Sequence, residues 1–423
     1  MPLFLISFIV LMVIGVPIGV SMLGSSVLYL INNGINPVIA VQRIFAGTNS
    51  FVLLAVPGFV LAASIMNTGG ITTRIFNFAD KCVGHITGGL GHANILASVI
   101  FAGMSGSATA DAAGLGAIEL RAMRNAGYPD DFSIAVTGAS AIIGPIIPPS
   151  IPMVVYAVAS STSVGKLFMA GVIPGILLAL SMSIYVYFYS KKKGFATRPR
   201  ATKKELFAAI KEGFFSLMAP VIILGSIVIG ICTPTEAAII GVVYSLILGF
   251  CYKTVSVRNL WKFLVDTMRT VAPVLFILGG ASLFAYVLAI EQVPQLLANK
   301  FMAISPNKYV FLLIVNVLLL IVGCFMDSTA AIIILTPVFM PVIKAFGIDP
   351  IHFGIVMVVN IMIGFVTPPV GVGLYVLSVV SKVRFEDIVK CMIPFIIVMV
   401  IMVLIFSFVP SISTFLPYSL GNL

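Results

Sequence analysis

The chain of 423 residues is 60% hydrophobic and only 9% charged, with a mean hydropathy of +1.18, which excludes a soluble globular protein and predicts an integral membrane protein. Its net charge of +10 is not the footprint of a nucleic-acid binder, because eight of the 24 basic residues fall in one short loop, 191–211, between hydrophobic segments. The five cysteines show no CxxC spacing, so they predict packing residues rather than a disulfide framework or a thiolate metal site, and there is no ATP-binding loop and no cofactor motif.

In chain order, MPLFLISFIVLMVIGVPIGV carries no charge and no clear cleavage site, and is expected to stay as a transmembrane helix. A spanning helix needs about 20 apolar residues, and the apolar stretches allow about ten to twelve crossings once short and interrupted ones are included, without the short alternating segments of a β-barrel. TNSFVLLAVPGFVLAASIMNTGGI (48–71), interrupted at Pro57-Gly58, predicts a re-entrant hairpin. Two polar breaks follow, SGSATAD (105–111) and GPIIPPS (144–150). Beyond the basic loop, 214–231 and 235–250 predict a pair of crossings, and 270–294, interrupted at Gly279-Gly280, predicts a second hairpin. Two further breaks then appear: MDSTA, within LLLIVGCFMDSTAAIIIL (318–335), and GFVTPP (364–369).

The chain aligns with itself at an offset of 220: Gly103 falls on Gly323, Thr109 on Thr329, Gly144 on Gly364, Pro148-Pro149 on Pro368-Pro369, and Pro174 on Pro394. These identities sit on Gly and Pro, where backbone geometry constrains the residue most. With the 191–211 loop in the cytoplasm, threading the crossings places Arg43, Arg74, Lys81, Lys166 and Lys344 outside, the remaining 19 of 24 basic residues inside, and both termini in the periplasm. The second half then enters from the side opposite to the first, an inverted-topology repeat, which is the best sequence-level pointer to a secondary transporter.

Gly and Pro within an apolar segment free amides and carbonyls that hydrocarbon cannot satisfy, so the broken segments must line a polar cavity. Half-helix N-termini there hold a carboxylate, while unwound carbonyls with Ser, Thr and Asp oxygens coordinate Na⁺. Each feature also has a plainer reading. Ser105, Ser107, Thr109, Ser328 and Thr329 could bind helix to helix, the prolines could be kinks, Asp111 could cap or bond within its own broken helix, and Glu236 fits a wet turn. His85, His92 and His352 are too scattered for a metal site. Recurrence of the breaks at one offset favours a site, and a carboxylate in an apolar run marks Asp327 as functional.

At SGSATAD, GPIIPPSIP, GFVTPPVG and LLAVPGFVLA the chain resembles, over essentially its whole length, the large membrane (DctM-like, M) subunit of tripartite ATP-independent periplasmic (TRAP) transporters. The resemblance implies a sodium-driven elevator for an organic acid in the inner membrane, with sialic acid favoured and C4-dicarboxylates next. It implies a separate small membrane subunit of about four helices and a periplasmic substrate-binding protein as partners. It divides the chain into repeats 1–210 and 211–423. The scaffold helices are 1–45, 167–190, 211–269 and 389–423, and the transport parts are 46–165 and 270–387. It places one sodium site at Asn49, Ser50, Ser105, Ser107, Thr109 and Gly144, and a second at Gly279, Gly280, Asp327, Thr329, Gly364 and Thr367. Ser105, Ser150 and Asp327 face the substrate. Two other functions compete: a stand-alone sodium/dicarboxylate symporter, and a rhomboid-like protease suggested by GMSG (103–106), which would need a histidine facing Ser105.

Overall fold

The computed structural model describes residues 2–68, 70–195 and 197–419; the extreme C-terminus expected in the periplasm, 420–423, lies outside the described residues. Among the described residues the chain is all helix and loop. The first half runs α1 (Pro2–Val13), α2 (Ile18–Asn32), α3 (Val38–Thr48), α4 (Ala55–Thr68), α5 (Ile71–Val83), α6 (Gly89–Ser105) and α7 (Ala108–Ala110). A π-helical turn at Asp111–Leu115 leads on to α8 (Gly116–Asn125), α9 (Asp130–Ala141), α10 (Ile151–Ser160) and α11 (Val164–Lys193). The second half runs α12 (Lys203–Val228), α13 (Pro234–Cys251), α14 (Val257–Ile290), α15 (Val293–Ile304), α16 (Lys308–Phe325), α17 (Ser328–Ala345), α18 (Pro350–Phe365), α19 (Val372–Ser381), α20 (Phe385–Phe408) and α21 (Ser411–Ser419). From α6 onward, each first-half helix start recurs 219 to 221 residues later, with α7 and α8 matched by the single α17. The Pro148-Pro149 and Pro368-Pro369 bonds, at matched positions, are both cis.

Seven described helices, or eight with one bent pair, are long and apolar enough to cross a membrane alone, and six shorter apolar helices accompany them; the ten to twelve crossings expected counted such short and interrupted stretches as well. Several apolar stretches are half-length helices that meet end to end or fold back. Helix ends are set by local chemistry. Thr202 with Glu205, and Thr233 with Glu236, close capping boxes at the starts of α12 and α13, which is the role Glu236 takes at its turn. Gly194, at φ 70°, ends α11 in the left-handed conformation that lets the chain turn into the basic loop.

The hairpins fall two helices later than expected, at α6 rather than α4 and at α16 rather than α14. Pro57 lies in the first turn of α4, where a missing N–H leaves no bond unmade, and Gly58 makes room for Ala238, so 55–68 is one helix. Gly279 and Gly280 lie inside α14, where a side chain would meet Ile44 and Thr48 of α3 or the Gly19 carbonyl of α2. Both glycines therefore mark close helix packing rather than a break. The interruption in 48–71 is instead a 55° bend at Asn49-Ser50, between α3 and α4. Helical hairpins form instead from α6 with α7–α8, turning at Gly106-Ser107, and from α16 with α17, turning at Met326-Asp327. Phe311 near the start of α16 stacks on Phe346 just past the end of α17, at 4.6 Å between ring centres, so the second hairpin returns to the face it entered from.

Contacts also revise the sides of four basic residues. Arg74 and Lys81 meet Glu212 and Glu205 (3.9 Å each), and Arg198 meets Asp80 (3.4 Å), so α5 lies on the face of the basic loop rather than opposite it. The physical reason is that α3 and α4 make one bent crossing where a hairpin was expected. Lys300 and Lys308 move the other way. Phe301 packs edge-on to Phe311 and Tyr309 lies 5.9 Å from Phe408, which puts them on the face shared by Lys344 and by Lys166 over the Tyr418 ring. Arg43, over Tyr286 near the end of α14, joins that face. The partition is unchanged at five basic residues against 19 of the 24, because the two errors cancel.

The first hairpin thus enters from the basic-loop face and the second from the opposite face. In a cysteine-free background, Lys81→Cys is expected to react with an impermeant thiol reagent from the same side as Lys203→Cys, and Lys308→Cys from the other. Labelling of positions 81 and 308 from one side would contradict this arrangement.

Candidate functional site: a cavity where the two halves meet

The two hairpin turns line one cavity. A cavity of about 360 Å³ is lined by Ser107 and Thr109 of the first turn, Asp327, Ser328 and Thr329 of the second, and Met362 and Phe365 of α18. It adjoins a second space of about 300 Å³, sharing Ser107, Thr109 and Thr270, that reaches Ser105, Asn67 and Asp266. Neither lining contains Lys or Arg.

Each turn is held in place by its own half. The Ile151 amide donates to the Gly106 carbonyl (3.4 Å), and the Gly371 amide donates to the Cys324 carbonyl (3.0 Å), so each broken helix is tied to the neighbouring hairpin turn by one backbone bond. These bonds satisfy groups that a helical ladder would otherwise pair. The glycines make the approach possible: a Cβ on Gly364 would strike the Gly323 backbone, and one on Gly144 would strike the Asp111 carboxylate. A polar clamp recurs in both halves. Asn94 of α6 donates to Thr137 (2.8 Å) and accepts from Ser140 (2.6 Å), while Asn316 of α16 accepts from Asn360 (2.5 Å). Ser140 and Asn360 occupy the same position in the two copies.

Asp327 is exposed to the cavity rather than enclosed in hydrocarbon. It is the N-cap of α17: its Oδ1 accepts from the amides of Thr329 (2.9 Å) and Ala330 (3.4 Å), and its Oδ2 has no hydrogen bond among the described residues. The helix N-terminus therefore offsets the charge that the sequence left without a neighbouring cation. Its counterpart Ser107 caps α7, accepting from Ala110. Ser150 is buried, caps α10 by accepting from Met153 (3.2 Å), and donates to the Pro145 carbonyl. Ser105 is buried and donates to Asp111, whose Oδ2 lies without a partner beside Gly144. Thr367 donates to the Ile363 carbonyl (2.6 Å).

Of the residues singled out from sequence, Ser107, Thr109, Asp327 and Thr329 line the cavity and Ser105 the adjoining space, while Gly144, Ser150 and Thr367 lie in loops and Gly364 in the last turn of α18. Asn49, Ser50, Gly279 and Gly280 are not in its lining. They belong to the α3–α4 bend and to the contact of α14 with α2 and α3, because the expected hairpin tips do not exist. Sequence reasoning missed Asn67, Asp266 and Thr270, which line the space through helix packing that no local pattern announces.

Two hairpins entering from opposite faces, two broken helices and a shared polar cavity are the architecture of a multi-pass transporter. The profile described as "Tripartite ATP-independent periplasmic transporter, DctM component" matches residues 5–412. The chain belongs to this family, the large permease subunits of TRAP transporters in the inner membrane. It is 46% identical over 95% of both chains to the sialic acid TRAP transporter large permease protein SiaM of Vibrio cholerae. It is 41% identical, over 90% of this chain and 89% of the relative, to the C4-dicarboxylate TRAP transporter large permease protein DctM of Pseudomonas aeruginosa. The crystal structure of the Alcanivorax borkumensis YdaH transporter shares the fold at 15% identity, with a TM-score of 0.67 over 90% of this chain and 88% of that one. Membership in a permease family removes the protease reading, and His352 bonds Ser413 (2.8 Å), not Ser105.

Because Asp327 caps α17, Asp327→Ala is expected to lower stability by about 1 kcal/mol, while Asp327→Asn, an equally good cap, stays within a few tenths. Thermal unfolding of the purified variants checks this, and equal melting of the Ala and parental proteins would contradict the capping role.

Proposed function

We propose that this chain carries a small organic anion inward across the inner membrane, driven by sodium, in an elevator movement. Sialic acid is favoured as substrate and a C4-dicarboxylate comes next, following the names of the two relatives. The observation that carries the reading is the meeting of equivalent positions, Ser107 and Asp327, at one cavity without a basic side chain. There an anion is held by hydroxyls, helix N-termini and bound Na⁺ rather than by Arg. One sodium ion sits among Ser105, Ser107, Thr109 and Gly144, and the other among Asp327, Thr329, Gly364 and Thr367. Substrate meets Ser105, Ser150 and Asp327.

The basic loop lies in the cytoplasm and both termini in the periplasm. The inner space reaches Asn67 and Asp266 of the α4 and α14 ends that lead to the basic-loop face, which suits an inward-facing state. Transport parts 46–165 and 270–387 move against the remaining scaffold. Their first boundaries fall within α3 and α14, so those helices are the arms joining the two. A small membrane subunit braces the scaffold, and a periplasmic binding protein delivers the substrate.

Proteoliposomes containing this chain and its small partner are expected to take up the anion only with both an inward Na⁺ gradient and the loaded binding protein. Asp327→Asn is expected to reduce that uptake by about tenfold or more, the effect of roughly 1.4 kcal/mol, with assembly intact. Uptake driven by ATP, uptake by this chain alone, or an Asp327→Asn variant with parental rate and sodium dependence would overturn the reading.

A further inference from the structure

A further cavity, apart from the two central spaces, lies on the basic-loop face between the first turns of α9 and α20 and the last turns of α11. It holds about 410 Å³ and is walled by Phe132, Tyr185, Tyr189 and Phe395. Phe132 stacks parallel to Tyr189 at 5.0 Å, and Tyr185 meets Phe395 edge-on at 4.8 Å, so the four rings are fixed by their own packing. Asp131, Asp387 and Lys390 also line the cavity.

The charges divide unequally. Asp387 is paired with Arg384 at 2.9 Å. Asp131 accepts only from the Phe132 amide (2.8 Å), and neither Asp131 nor Lys390 has an ion-pair partner among the described residues. The cavity thus offers aromatic faces with one free carboxylate, and a separate free ammonium. Aromatic rings beside a carboxylate select an alkylammonium group. A lysine selects a phosphate as a point charge. The ligand that satisfies both is a zwitterionic aminoalkyl phosphate. The Lys193 ammonium, 5.9 Å from the Tyr189 ring centre, shows the same ring accepting a cation from within the chain.

The geometry points to the headgroup of phosphatidylethanolamine from the leaflet on the basic-loop face, with its ammonium against the Tyr185, Tyr189 and Asp131 side and its phosphate on Lys390. The cavity sits beside the Lys191–Lys193 end of α11, where aromatic and basic side chains meet lipid headgroups. Bound there, the lipid bridges the broken helix of the first half to α20 of the second. The site joins the proposed transport part, through Asp131 and Phe132, to the proposed scaffold, through Tyr185, Tyr189 and Lys390, and lipid retention can be read without any transport assay.

The test uses the purified transporter complex in nanodiscs free of phosphatidylethanolamine, to which that lipid, phosphatidylglycerol or soluble phosphoethanolamine is added, with retention read by native mass spectrometry. One phosphatidylethanolamine should be retained about tenfold more strongly than phosphatidylglycerol. Retention should fall about tenfold in Asp131→Asn/Lys390→Gln and in Tyr185→Leu, and persist in Tyr185→Phe, which keeps the ring. Equal retention of the two lipids, or undiminished retention in the double variant, would overturn the site. Displacement of the lipid by millimolar phosphoethanolamine would overturn the lipid as its natural occupant.

Discussion

A backbone amide or carbonyl in hydrocarbon has no water to turn to, so chain that leaves the helix at membrane depth must either be paired by protein or open onto a polar space. The centre of this protein follows from that constraint. Four interruptions, two per half, would each leave backbone groups unsatisfied if isolated. Brought together, they pair part of their groups through the Ile151–Gly106 and Gly371–Cys324 bonds, and each contributes residues to the lining of one cavity. A cavity with amide ends, hydroxyls and one carboxylate is the consequence, and its chemistry suits a hard cation and an anion together.

The glycines explain why the interruptions can be this close. Gly323 and Gly364 come from different segments, and no side chain fits between their backbones. In the first half the equivalent Gly144 yields its space to the Asp111 carboxylate instead. The two halves therefore share a backbone plan while placing their acids differently, Asp327 at a cap and Asp111 one turn into its hairpin.

Much of this was legible in the sequence. The 220-residue offset depended on Gly and Pro, whose backbone roles survive when side chains diverge, and it located all four interruptions. Asp327 stood out because a carboxylate in LLLIVGCFMDSTAAIIIL needs a reason. The hairpins were misplaced because Pro57 and Gly279-Gly280 have the composition of a break but serve a helix first turn and a close helix contact. That distinction depends on what lies across the interface. The charge partition could not expose the mistake, since exchanging Arg74 and Lys81 for Lys300 and Lys308 leaves the total on each side unchanged.

The central claim is that ion and anion complete one cavity, so their binding must be linked and the linkage reciprocal. Titration calorimetry of the purified transporter complex with the organic anion over a range of sodium concentrations tests this most directly, paired with sodium titrations at fixed anion. The account predicts that sodium tightens anion binding and that the anion tightens sodium binding by the same factor. Anion affinity independent of sodium would contradict it.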